Sequence, residues 1–464
     1  MSREDWSAKG TSVVPADEDD IRLPWSRSDR TVPRIIVRPL QEFLQTSTAA
    51  AAVLFGAIVL ALLWANSPWR EGYESLWHTP MTVRIGDIAV GTDLHFWIQD
   101  GLMTLFFLLV GLEIKRELTV GELQRLRAAA LPVLAAVGGM LAPAVLYLSI
   151  AGSGAGRSGW GIPMATDIAL ALGVLALAAS FAPSRLRPLL LTLAIVDDIG
   201  AILVIALFYR QGGDPIYVLW GVAATVGVIM SHRLQLRALW VYIALGVVLW
   251  YTCYRAGIHP TIAGVILGLL TPVEPSQRPA AVSREARRVA EATSDDPEPL
   301  DVDAPEWLEL AALSREAVSP LARVEHALLP WSSFIIVPLF ALASAGVRLS
   351  ASTISAAASS VVAIGIVAGL VVGKPLGIWL TSLAAVRTRV GELPKDVTMR
   401  SVAGLGATAG IGFTVALFIA ELAFPGRPVM LGEAKIAILF ASVVAGGAGW
   451  VLLRVAHSPR KEPR

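Results

Sequence analysis

Two adjacent carboxylates, Asp197 and Asp198, stand in the middle of LAIVDDIGAIL (193–203), a run otherwise free of charge. A charged side chain at the centre of a bilayer-spanning helix costs on the order of 2.5–3.5 kcal/mol on insertion scales, so ionisable residues kept there are functional candidates by default. Asp100, Glu113, Asp167, Lys374 and Glu421 share that apolar setting. Carboxylate oxygens suit a hard cation, and a carboxylate out of water prefers to be protonated. The chemistry open to this set is therefore cation binding, proton binding, or the two in turn; structural ion pairing is the plainer alternative. Successive helix residues are rotated by about 100°, so Asp197 and Asp198 cannot address one partner. One could face a cavity and hold a cation while the other pairs with a basic group on another helix. Lys374, in GLVVGKPLGIW (369–379), is the only lysine at comparable depth.

The elements that must position these groups are membrane helices. The chain of 464 residues is 55% hydrophobic and 16% charged, with mean hydropathy +0.63; soluble domains carry about 25% charged residues. Apolar runs recur along its length, which predicts an all-α polytopic membrane protein. Twelve spans are expected, near 47–65, 95–114, 126–150, 161–181, 186–209, 215–231, 238–255, 257–271, 330–347, 355–385, 401–424 and 432–455. Lys115, Arg116, Arg125 and Arg127, then Arg185 and Arg187, then Arg233 and Arg237, mark alternate loops as basic, whereas the loops between hold one or two basic residues, such as Arg427 and Lys435. By the positive-inside rule both termini are cytoplasmic. The net charge of +1 singles out no partner beyond the bilayer, and nothing points to nucleic acid. A single cysteine, Cys253, excludes an internal disulfide framework and a multi-cysteine metal site. No cofactor is expected.

The expected organisation is a disordered, cytoplasmic N-tail without a signal peptide over 1–45, a first membrane half over 46–272, a disordered cytoplasmic insert over 273–318, a second half over 319–456, and a cytoplasmic C-tail over 457–464. Two spans look interrupted. GIPMATDIALALG (161–173) follows a glycine cluster, and SVAGLGATAGIGFTVALFIA (401–420) carries Gly404, Gly406, Gly410 and Gly412. A pair of such segments, one per half, points to a transporter site built where two discontinuous helices cross at the midplane. Inner helix ends expose partial charges, which Asp167 and Lys374 are placed to offset; glycines alone serve close packing equally well. In TVRIGDIAVGT (82–92) alternation around Gly86-Asp87 predicts a small external β-hairpin, read as a subunit contact and hence a homodimer.

The chain resembles the NhaA family of bacterial sodium/proton antiporters in DGLMTLFFLLVGLEIKREL (100–118), PMATDIALALG (163–173), LAIVDDIGAI (193–202), GIHPTIAGVILG (257–268), RVEHALLPW (323–331), GKPLGI (373–378) and ATAGIGFTVALFIA (407–420). The resemblance covers most of 40–272 and 320–455 and implies inverted repeats. It further implies an inner-membrane secondary transporter that exports sodium (or lithium) for a larger number of protons, electrogenic and pH-regulated, serving sodium and pH homeostasis. By position, Asp198 looks like the principal sodium ligand with Asp167 as a second, Asp197 like the partner of Lys374, and Thr166 and Asp167 like the residues at the crossing. Glu113, Arg116, Glu325 and His326 match the cytoplasmic funnel associated with pH response, and Asp100 and His259 also fall at family positions. One departure is Leu329, where some members carry a second histidine. A sodium-coupled symporter would need a larger pocket with substrate-specific polar groups, which the sequence does not display. An intramembrane aspartyl protease needs two aspartates sharing a proton, and neighbours on one helix diverge; an enzyme is not expected.

Overall fold

The computed structural model describes residues 47–457 apart from 87, 125, 179–181, 211, 235, 237–238 and 293–303. The expected N-tail, and the C-tail beyond His457, lie outside the described residues. Residues 1–49 and 50–464 form two compact units, and of the first only 47–49 are described, as the start of helix Ser47–Ala65.

Within lipid every backbone N–H and C=O must be satisfied internally, so apolar runs fold as helices. Those that carry or support the charged residues are α1 (Met103–Thr119), α2 (Leu126–Ala151), α3 (Ile168–Leu177), α4 (Leu186–Phe208), α5 (Thr261–Leu270), α6 (Lys374–Arg387), α7 (Met399–Ala409), α8 (Phe413–Ala423) and α9 (Pro428–His457). Helix occupies each of the twelve expected spans. Among the described residues, eight helices are continuous, long and apolar enough to cross a membrane. Two further spans are bent pairs: the 3-10 stretch Gly154–Met164 meets α3 at 50°, and α7 meets α8 at 48°. The last two are shorter, Leu239–Arg255 with 17 residues and α5 with 10, against the roughly 20 that a bilayer asks for.

Two expectations need correction. The insert over 273–318 is not a featureless connector: helices Pro279–Ala292 and Ala304–Glu316 lie within it, joined by Val282, Val289 and Leu310. Its Ala, Glu and Arg, which read as a solvated segment, are also strong helix formers. The insert leaves and returns at one point, where Leu321 N–H donates to Pro272 O at 3.1 Å. Lys435, counted above among loop residues, belongs to α9 and is largely enclosed. The hairpin is present as β1 (Val83–Ile85) and β2 (Ile88–Val90), antiparallel with Val83 opposite Val90, and Gly86 takes a φ of 60° that favours glycine at the turn.

Packing is close where glycines face backbone. A Cβ on Gly111 of α1 would stand 2.7 Å from Val265 O of α5, and one on Gly138 of α2 would stand 2.6 Å from Gly377 O of α6. The apolar core divides into two large clusters. One holds Ala165, Ile195, Ala201 and Phe413; the other holds Ala171, Leu190, Leu193 and Ala409. The division falls where the two bent pairs cross beside Asp197.

Candidate ion-binding site

The first bend places Ala165 in extended backbone, with Asp167 as the N-cap of α3. Asp167 Oδ1 accepts from Leu170 N–H at 3.0 Å, and Oδ2 accepts from Thr414 N–H of α8 at 3.1 Å. One carboxylate thus caps both inner helix ends, each carrying the partial positive charge of an N-terminus. Asp167 N–H donates to Ile411 O at 2.6 Å and ties the two breaks together. The crossing leaves no room for side chains: a Cβ on Gly410 would stand 2.5 Å from Leu370 O, and one on Gly412 3.0 Å from Ala165 O.

Lys374 reaches the crossing from another direction. A π-turn over Gly369–Gly373 precedes α6, and a Cβ on Gly369 would stand 2.6 Å from Pro163 Cβ, so that backbone lies against the first bend. Lys374 Nζ donates to Met164 O, the last carbonyl of the 3-10 stretch. A cation there offsets the negative end of that half-helix. The same ammonium lies 2.9 Å from Asp197 Oδ2, and neither side chain has any exposed surface. Thr166 Oγ1 is 2.7 Å from Asp197 Oδ2 and 3.1 Å from Ala409 O; its single hydroxyl hydrogen serves one acceptor at a time.

Lys374 and Thr166 contact Asp197, not its neighbour Asp198. Asp198 is 5% exposed, and its Oδ1 is buried without a hydrogen-bond partner among the described residues. A buried ionised oxygen left in that state is costly unless a proton or a cation joins it. The five residues Thr166, Asp167, Asp197, Asp198 and Lys374, expected at one site, are gathered at and beside the crossing.

The remaining candidates lie elsewhere. Arg116 Nη1 is 2.8 Å from Glu325 Oε1. Glu113 lies one turn earlier on α1, and His326 is exposed beside Glu325. Asp100 sits in a π-turn, Trp97–Leu102, with His259 Nδ1 at 3.2 Å from its Oδ1. Glu421 was noted as an intramembrane charge with no role. In the structure its Oε1 accepts from Lys435 Nζ at 3.0 Å, and its Oε2 faces His95 Nε2 at 3.6 Å. The signal was present, since Lys435 falls inside the predicted span 432–455 and His95 opens the predicted span 95–114.

Comparison with known proteins agrees with this architecture. The family model described as Na+/H+ antiporter 1 matches residues 41–453. A Sorangium cellulosum protein named Na(+)/H(+) antiporter NhaA 2 is 47% identical over 437 residues, 92% of this chain and 93% of the relative. The protein of the same name from Myxococcus xanthus is 47% identical, over 91% of this chain and 90% of the relative. Na(+)/H(+) antiporter NhaA of Cupriavidus necator is 45% identical, over 88% of each. With crossing bent helices, a lysine–aspartate pair between them and near-complete coverage, the chain belongs to the NhaA family of Na+/H+ antiporters.

Proposed function

We propose that this protein exchanges sodium, or lithium, for protons by competition at Asp198, with the free lone pairs of Asp167 and nearby backbone carbonyls as further ligands. The observation that carries this reading is the buried Asp198 Oδ1, without a hydrogen-bond partner among the described residues; Asp197 Oδ1 is likewise unpartnered, but Asp197 has the Lys374 ammonium at its other oxygen. A cation on Asp198 stabilises its ionised form and expels the proton; abundant protons expel the cation. Occupancy by one or the other, combined with movement of the helix bundle about the crossing, gives coupled exchange. Asp197 and Lys374 form a second titrating unit, which makes the proton count exceed the sodium count and the cycle electrogenic.

The remaining assignments follow from this reading. The protein lies in the bacterial inner membrane with both termini cytoplasmic, and it serves sodium and pH homeostasis. Glu113, Arg116, Glu325 and His326 set the pH response, and two copies associate through the hairpin. Support for the orientation is the arginine bias of alternate loops. The test is Asp198→Asn in everted membrane vesicles: sodium-dependent proton movement is lost, while the protein is inserted at wild-type level. Exchange retained at normal apparent affinity overturns the ligand assignment.

A further inference from the structure

The helices fall into two packing groups. α2 packs on α6 and on the first bent pair, and α7 packs on α6 and α9; α1 packs chiefly on α5. α8, the second half of the second bent pair, packs on the first bent pair and on α9 and reaches the other group through Phe418 and Glu421. The ring of Phe418 on α8 is 5.3 Å from Phe107 of α1, 5.4 Å from His259 and 6.2 Å from Phe340. Three residues on, Glu421 presents its two oxygens to opposite groups. Oε1 accepts from Lys435 Nζ of α9 at 3.0 Å, and Oε2 faces His95 Nε2, ahead of α1, at 3.6 Å. Glu421 Oε2 is buried and has no aligned hydrogen bond among the described residues, so the lysine is satisfied on one oxygen and the other is left for the histidine. His95 stands at the start of the 26-residue span Leu94–Thr119, whose far end carries Arg116 and its partner Glu325. The cluster thus lies at the membrane face opposite the Arg116–Glu325 pair. Its charged neighbours are Asp93, which caps the helix carrying His95, and His78, 3.1 Å from Asp93.

We propose that Glu421 is a positioning residue for alternating access: held to Lys435 within one group, it latches reversibly onto His95 of the other and closes the path at that face. This rests on the exchange reading above. A buried carboxylate oxygen with no other partner favours the contact that satisfies it. Once the groups separate, both Glu421 Oε2 and His95 are hydrated, so the latch biases which face is open without touching the ion.

The test uses full-length protein in proteoliposomes, with apparent KM for sodium measured from each face for wild type, His95→Gln, Glu421→Gln and the double variant. Releasing the latch favours the state open on the His95 face. Apparent KM there falls by about fivefold, the lower end of typical coupling between sites, and rises by a similar factor on the Arg116 face. In the double variant the effect is no larger than in Glu421→Gln alone. Equal changes at both faces, or additive effects, overturn the latch. Should Glu421→Gln fail to fold, His95→Gln, which leaves the Glu421–Lys435 pair intact, carries the measurement. Absence of exchange by wild type would sink the exchange reading; normal exchange with a face-independent response in His95→Gln sinks the latch alone.

Discussion

Asp197 and Lys374 show how one buried charge is balanced by several partners at once. The ammonium serves a carboxylate and the carbonyl that ends a half-helix, and the carboxylate also receives the Thr166 hydroxyl. Removing one partner of such a pair strands the other in low dielectric, at a cost of about 3–5 kcal/mol, whereas removing both together is often nearly neutral. Lys374→Ala is therefore expected to lower the melting temperature in detergent markedly, and Lys374→Met combined with Asp197→Leu to recover much of the loss. A Lys374→Ala protein as stable as wild type would show that the pair is not what neutralises Asp197. This partnership was legible in advance because a lysine kept in an apolar span needs an acid, and the choice was narrow. The double capping by Asp167 was not, because Thr414 is 247 residues away along the chain and nothing local announces it.

The bent helices depend on glycine for their approach, not only for their breaks. With 2.5 Å between a Cβ on Gly410 and Leu370 O, Gly410→Val forces backbone apart at the point where Asp167 joins the two bends. Exchange in vesicles is expected to fall to background while the protein still inserts; wild-type exchange would show that the crossing tolerates separation. At the start of the Leu94–Thr119 span, Asp93 supplies a conventional cap by accepting from Phe96 N–H at 2.9 Å. Burial works to raise the Asp93 pKa, but the Phe96 N–H and His78 outweigh it and hold the carboxyl below its usual range. A carboxyl depressed by folding adds stability above its unfolded pKa and loses it as pH falls through the folded value. Asp93→Ala should cost about 1 kcal/mol at neutral pH, as cap removals do. The gap in melting temperature from wild type should shrink on acidification; a gap independent of pH would separate the cap from the charge.

In the assembled protein, the charged groups form separate stations: Arg116 with Glu325 at one end of the Leu94–Thr119 span, His95 with Glu421 and Lys435 at its other end, and Asp197 with Lys374 at the crossing. The hairpin adjoins the His95 station, with Pro80 bridged to Asp93 at its base and Trp97 Nε1–H donating to Met81 O at 2.7 Å. If it is a subunit contact, replacing residues 83–90 with a Gly-Ser linker should halve the particle mass measured by light scattering in detergent while exchange in vesicles persists. An unchanged mass would place the subunit contact elsewhere.

The membrane class, the helical spans, the two interrupted segments and the short list of charges in lipid were all determined by the sequence alone. Each follows from a local rule, since a charge or a glycine run in an apolar stretch is exceptional wherever it occurs. Tertiary structure alone decided that Lys374 also meets the Met164 carbonyl and that Asp197 also receives the Thr166 hydroxyl. It also decided that one aspartate caps two helices, that Glu421 bridges two packing groups, and that the insert over 273–318 contains two helices packed together. Those outcomes depend on distances between residues remote in sequence, and on burial that exists only once the helices have crossed.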